Sequence, residues 1–145
     1  MVSQWGGMDH DLGRFLAAQE HVYGGVVAEL RRGRKTSHWM WFIFPQIAGL
    51  GRSALSQRYS LTSLDEARAY LADPVLGARL RECASLVLAA NATSSVAMFG
   101  DTDAMKLGSS MTLFHRAAPE EPVFGAVIDR YFGGVADPAT DARLG

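Results

Sequence analysis

Near the start of the chain, Leu12, Phe15, Leu16, Val22, Tyr23, Val26, Val27 and Leu30 recur three and four positions apart, the spacing of one helical face. Asp9 or Asp11 would cap that helix and Gly33 would stop it. Gly24 and Gly25 fall inside it at roughly 1 kcal/mol each relative to Ala, so the helix bends there or another element packs close. Residues 1–8 read as a loose leader. Further on, Ser63-Leu64-Asp65-Glu66 is a capping box that opens a helix burying Leu64, Ala67, Tyr70 and Leu71 and ending near Asp73. Asp73-Pro74 opens another, with Val75, Leu76, Leu80, Cys83, Val87 and Ala90 on one stripe and Asn91 as its stop. A short apolar piece, 96–100, precedes a helix opened by Asp101-Thr102-Asp103, carrying Met105, Leu107, Met111 and Phe114 and closed by Pro119. Glu120-Glu121-Pro122 begins a last helix through Val123, Phe124, Val127, Ile128, Tyr131 and Phe132, which Gly133-Gly134 ends, leaving 135–145 as a tail.

One stretch breaks the rhythm. Trp39 to Phe44 is apolar at every position, so neither period applies, and Pro45 argues against a long helix. The pattern predicts a short buried strand or an irregular segment crossing the core, then a loop over Gly49 to Ser53 and a turn of helix around Leu55 to Tyr59. No alternating pattern would build a sheet of three or more strands, and no repeat is present. The expected fold is a single, mainly α-helical domain over 1–145, with one short aromatic-rich irregular or extended segment.

The bulk numbers narrow the function. A chain of 145 residues with 48% hydrophobic and 20% charged side chains is long enough for one core. Fourteen basic against fifteen acidic residues give a net charge of −1, which argues against nucleic acid or an anionic membrane as partner. The one basic cluster, Arg31 to Lys35, reads as the charge that collects at a helix C-terminus. A single cysteine, Cys83, excludes an internal disulfide and sits on an apolar stripe as filler. With no signal-like leader and no long apolar run, a cytoplasmic protein is expected. Scattered histidines and the lack of a phosphate-binding glycine loop predict no metal and no cofactor.

Two constellations carry candidate chemistry. In the run Lys35-Thr36-Ser37-His38-Trp39-Met40-Trp41-Phe42-Ile43-Phe44-Pro45-Gln46, the rings either pack as core or floor a pocket. In the pocket reading Trp39 and Trp41 stack on a ligand, while Lys35, Ser37, His38 and Gln46 hold its polar parts. In the core reading the same polar groups bond to backbone. In the second constellation, helical spacing puts Lys106 beside Ser110, with Ser109 and Thr112 sharing part of that face. A deprotonated Lys106 would activate Ser110, whereas a charged one would bind an anion or pair with Asp103.

These blocks also resemble a known family. The HWMWFIFPQ run, Gly49-Leu50-Gly51, Glu66-Ala67, Tyr70-Leu71, Leu76-Gly77, Phe99-Gly100, Lys106-Leu107 and the SSMTLF run are similar to those of the bacterial domain of unknown function 1810 family. The resemblance runs from about Phe15 to the end and implies a predominantly helical cytosolic domain with no assigned reaction. Gly108 stands where relatives often carry a basic residue, which weakens an anion site beside the serines. Arg79-Leu80-Arg81-Glu82 with Phe99-Gly100 is faintly similar to the helical NADAR superfamily, which implies a ligand of the ADP-ribose glycoside type. The expected function is therefore a site for a small polar ligand, phosphorylated or nucleoside-like, with Lys35, Ser37, His38, Trp39, Trp41, Gln46, Lys106, Ser109 and Ser110 lining it. His38, Glu82, Lys106 and Ser110 are the candidates for moving a proton or attacking. The alternative is a non-enzymatic protein-interaction module in which the aromatic block is all core, its partner unspecified.

Overall fold

The long helix with the buried serines organises everything else. In the structure, a computed structural model that describes residues 11–145, the described residues form ten helices and no strand. They run α1 (Gly13–Gln19), α2 (Tyr23–Arg32), α3 (Met40–Ile43), α4 (Ala54–Arg58), α5 (Leu64–Ala72), α6 (Leu76–Ala89), α7 (Ser95–Phe99), α8 (Asp101–Ala117), α9 (Pro122–Tyr131) and α10 (Pro138–Leu144). Residues Leu107 to Phe114 of α8 are all buried, because α5, α7, α9 and α10 pack around it. Of its enclosed hydroxyls, those of Ser109 and Thr112 are bonded and that of Ser110 is not. Thr112 Oγ1 donates to the Gly108 carbonyl at 2.8 Å and Ser109 Oγ to the Met105 carbonyl at 3.2 Å.

The predicted elements are largely present. Ser63 accepts from the Glu66 amide at 3.1 Å, and Asp73 Oδ1 takes the amides of Val75 and Leu76, both at 2.9 Å, ahead of α6. Three readings change. The first long helix breaks at Glu20 to Val22, ahead of the glycines, and no atom approaches within 4 Å of a Cβ placed at Gly24 or Gly25. The break belongs to Gln19, whose buried amide donates to the Phe42 carbonyl at 2.7 Å and to Tyr70 Oη at 3.1 Å. Its cap is corrected too: Leu12 holds the N-cap position without a side-chain bond, while Asp9 and the leader lie outside the described residues. The tail is the third correction. Asp137 caps α10 by accepting from the Thr140 amide at 3.1 Å, with Pro138 at the first helical position, and Thr140 is fully buried.

The aromatic segment is irregular around the single turn of α3, and its exit is pinned. The Leu61 amide donates to the Gln46 carbonyl at 2.9 Å and the Ala48 amide to the Leu61 carbonyl at 2.7 Å, a lone parallel bridge at Ile47. Among the described residues no helix is long and apolar enough to cross a membrane.

Candidate functional site

Trp39 and Trp41, two residues apart, go to different environments. Trp39 is 2% exposed, edge-on to Phe99 with centroids 6.4 Å apart, and its indole Nε1 donates to Glu29 Oε1 at 3.0 Å. The same Glu29 oxygen accepts from the amides of Thr36 at 2.7 Å and Ser37 at 2.9 Å, and Oε2 accepts from the Ser37 hydroxyl at 2.5 Å. Burial pushes the Glu29 carboxyl up, but the bonds from Ser37, Thr36 and Trp39 outweigh it and hold the group down at about 2. The polar groups here are bonded to one another: the Trp39 N–H and Ser37 are both committed to Glu29, and all three residues border the groove that also holds His38. Both had been candidates for a pocket.

Trp41 is only partly buried, with Lys106 Nζ over its ring at 4.8 Å from the centroid. Its Nε1 is enclosed and has no partner among the described residues. The two corners meet at Asp103. Lys35 Nζ lies 2.8 Å from Asp103 Oδ2 and 5.0 Å from the Trp39 ring centroid, and Lys106 Nζ lies 3.7 Å from Asp103 Oδ1. Two ammonium groups, each over its own indole, therefore share one carboxylate.

Beside Lys106 opens a cleft of about 310 Å³ between α8, the loop after α3 and the start of α10, lined among others by Gln46, Leu50, Thr102, Lys106 and Asp137. Its walls are fixed by side chains. Arg143 Nη2 of α10 donates to the Gly49 carbonyl at 3.1 Å, and Gly49 must be glycine there, at φ 98° with the guanidinium where a Cβ would stand. Asp137 ties α10 to α8: its Oδ2 accepts from Ser109 Oγ at 2.9 Å and Thr140 Oγ1 at 2.6 Å, and its amide donates to Thr112 Oγ1 at 2.8 Å. All the side-chain bonds of Asp137 run through Oδ2, and the side chains of Gln46 and Thr102 make none among the described residues.

The candidate residues are thus divided. Gln46, Lys106 and Ser109 come together at this cleft. His38 is exposed on another groove, of about 240 Å³, where it meets two further candidates, Ser37 and Trp39, beside Glu29, His21 and Gly25. Glu82 accepts from Tyr23 Oη where α2 meets α6, and burial together with that bond raises the Tyr23 phenol far above its usual value. Ser110 corrects the nucleophile reading, being 0% exposed with an unpartnered Oγ. Lys106, ion-paired and stacked, makes no bond to it. A larger hollow of about 520 Å³ lies by Arg81, but Glu121 already fills that guanidinium fork at 2.7 and 2.8 Å. No group of three or more His, Cys, Asp or Glu among the described residues is placed to hold a metal.

Glu29, Thr102 and Asp137 were missing from the candidate list. Asp137-Pro138 repeats the cap signal of Asp73-Pro74, so the sequence carried it. Glu29 is a charge set between the apolar positions Val26 and Leu30, a signal the sequence also holds. Thr102 had no signal.

Comparison with known proteins gives a family and a fold. The model of a family described as "Protein of unknown function (DUF1810)" matches residues 9–144. The crystal structure of the conserved hypothetical protein Rv1873 from Mycobacterium tuberculosis is similar with a TM-score of 0.91 and 51% sequence identity, over 92% of this chain and 96% of that one. No curated protein matches. Neither description names a ligand or a reaction.

Proposed function

The chain belongs to the domain of unknown function 1810 family, which brings a fold and no chemistry, and from the site geometry we propose that it binds a small polar ligand in the Lys106 cleft, with an anionic group of the ligand against Lys106. The observation that carries this is the unequal sharing of Asp103. Lys35 takes the carboxylate at 2.8 Å, while Lys106, at 3.7 Å, is left with charge to spare at the mouth of an open cleft. A phosphate or carboxylate there would complete the pairing, with Lys106 seated on the Trp41 ring. At the opposite end, Asp137 keeps Oδ1 for a hydroxyl donor, as on a sugar, and Gln46 and Thr102 offer further bonds. A mostly apolar cleft with a few convergent polar groups is the usual form of a small-molecule site.

The reading that the protein is a non-enzymatic interaction module draws on the burial of Trp39 and Phe44. It leaves the polar groups of the Lys106 cleft without a purpose, so binding of a small ligand is the better account.

Trp41 reports on the cleft through Lys106, which lies over its ring. Titration with inorganic phosphate, nucleoside monophosphates, ADP-ribose and sugar phosphates should give a saturable change in tryptophan fluorescence and a rise in Tm for at least one class. Lys106→Met should remove both responses, and Trp41→Phe should remove the optical one alone. If no compound moves either signal in the wild-type protein, the proposal fails.

A further inference from the structure

The large apolar side chains most exposed among the described residues are Met105, at 74%, and Val135, at 66%, and both line one groove. This groove, of about 290 Å³, runs along α8 beside the Lys106 cleft and is walled by Phe132 and Pro138. Gly108 makes that wall possible, because a Cβ there would stand 3.0 Å from the Phe132 ring edge. The two hollows share Met105, Ser109 and Asp137, so they adjoin across these residues, one carrying Lys106 and the other Phe132 and Val135.

We infer that the ligand is an amphiphile, a soluble small molecule whose anionic head meets Lys106 and whose apolar tail crosses Met105 to lie between Phe132 and Val135. This rests on the Lys106 reading and adds the ligand class to it. Two exposed side chains flanking a narrow groove are much too little apolar surface for a stable protein interface, which buries on the order of 800 Å² on each partner. They suit a tail of a few carbons, in which each buried methylene strengthens binding roughly threefold to fourfold.

The test is a series of n-alkyl phosphates, methyl to hexyl, measured by calorimetry against wild type, Val135→Asp and Lys106→Met. Val135 is solvent-facing, so its variant should melt with the wild type. Expected is an affinity that climbs with chain length in the wild type, a flat dependence in Val135→Asp with methyl phosphate binding unchanged, and loss of the whole series in Lys106→Met. Equal affinity for methyl and hexyl phosphate in the wild type would overturn the tail while leaving the Lys106 site standing. If no member binds but nucleoside monophosphates do, the amphiphile is likewise excluded and the site survives. If nothing binds at all, both readings fall. A dimer in sedimentation that Val135→Asp converts to a monomer would show that a second copy covers the groove, and would also overturn the inference.

Discussion

Trp39 and Trp41 start from the same position in every respect but one. Each is an indole in the same aromatic run, each lies beneath a lysine, and the two lysines meet at Asp103. The difference is a partner for the ring nitrogen. Trp39 finds Glu29, and with it comes a closed set of hydrogen bonds that also consumes Thr36 and Ser37. Trp41 Nε1 finds none, and its lysine faces a cleft. Composition does not separate a structural cluster from a binding site; what separates them is whether the polar groups have already satisfied one another.

The largest effect should come from opening the closed side. Glu29→Ala removes the acceptor of four bonds and leaves a buried indole N–H without one, a loss of about 3 kcal/mol by urea unfolding. The pH dependence follows in sign. Because the folded carboxyl sits at about 2, below its ordinary 4.5, its contribution is complete above pH 4.5 and disappears as the pH falls from there toward 2. Glu121 and Asp141 are also lowered, by their bonds to Arg81 and Arg116, and they add to the same acid loss. The drop in Tm between pH 5 and pH 3 should therefore be smaller in Glu29→Gln than in the wild type, yet not vanish. An equal drop in the two proteins would mean that the Glu29 cluster does not hold the closed side.

The next effect concerns the joint that sets the two sides against each other. Gly100, between α7 and α8, has φ 83° and ψ 167°, a region essentially reserved for glycine. From it the backbone turns so that the Lys35 amide reaches the Met98 carbonyl at 2.8 Å, while Asp103, one turn into α8, reaches Lys35 Nζ. No neighbour lies within 4 Å of a Cβ there, so Gly100→Ala tests backbone strain alone. It should cost about 2 kcal/mol, a fall in Tm of roughly 6 °C for a chain of this length. A change within error would show that the joint adapts, and that the shared Asp103 does not depend on it.

Much of this was legible in advance where the information is local. The Ser63 capping box, the Asp73-Pro74 start and the three-four spacing of Leu76, Leu80, Cys83 and Val87 are short-range physics, and those two helices formed as read. The aromatic run was not legible because its fate is decided by residues remote in sequence. Gln19 captures the Phe42 carbonyl, Leu61 captures the backbone at Gln46, and Asp103 gathers two lysines sixty-eight and three positions away. The same holds for the candidate site. Gln46, Lys106 and Ser109 were on the list for their chemistry, but only tertiary packing decided that they meet Asp137, and that His38, Glu82 and Ser110 stay apart from them.

The smallest effect on stability is the sharpest test of the comparison. Lys35 is 7% exposed at its side chain, donates to the Ser37 carbonyl at 2.5 Å and holds Asp103 tightly, so Lys35→Met removes a shielded, geometrically good pair. That change should cost about 1 to 2 kcal/mol. Lys106→Met gives up only a 3.7 Å pair, and methionine keeps contact with the Trp41 ring through its thioether, so the loss should stay near 0.5 kcal/mol or below. Chemical unfolding of the two variants side by side reads the difference. If the lysines prove equal in stability, Asp103 is shared evenly, and Lys106 has no surplus charge to offer a ligand. If Lys35 carries the stability and Lys106 carries the phosphate response, one carboxylate has divided two otherwise similar indole–lysine pairs into a structural half and a binding half.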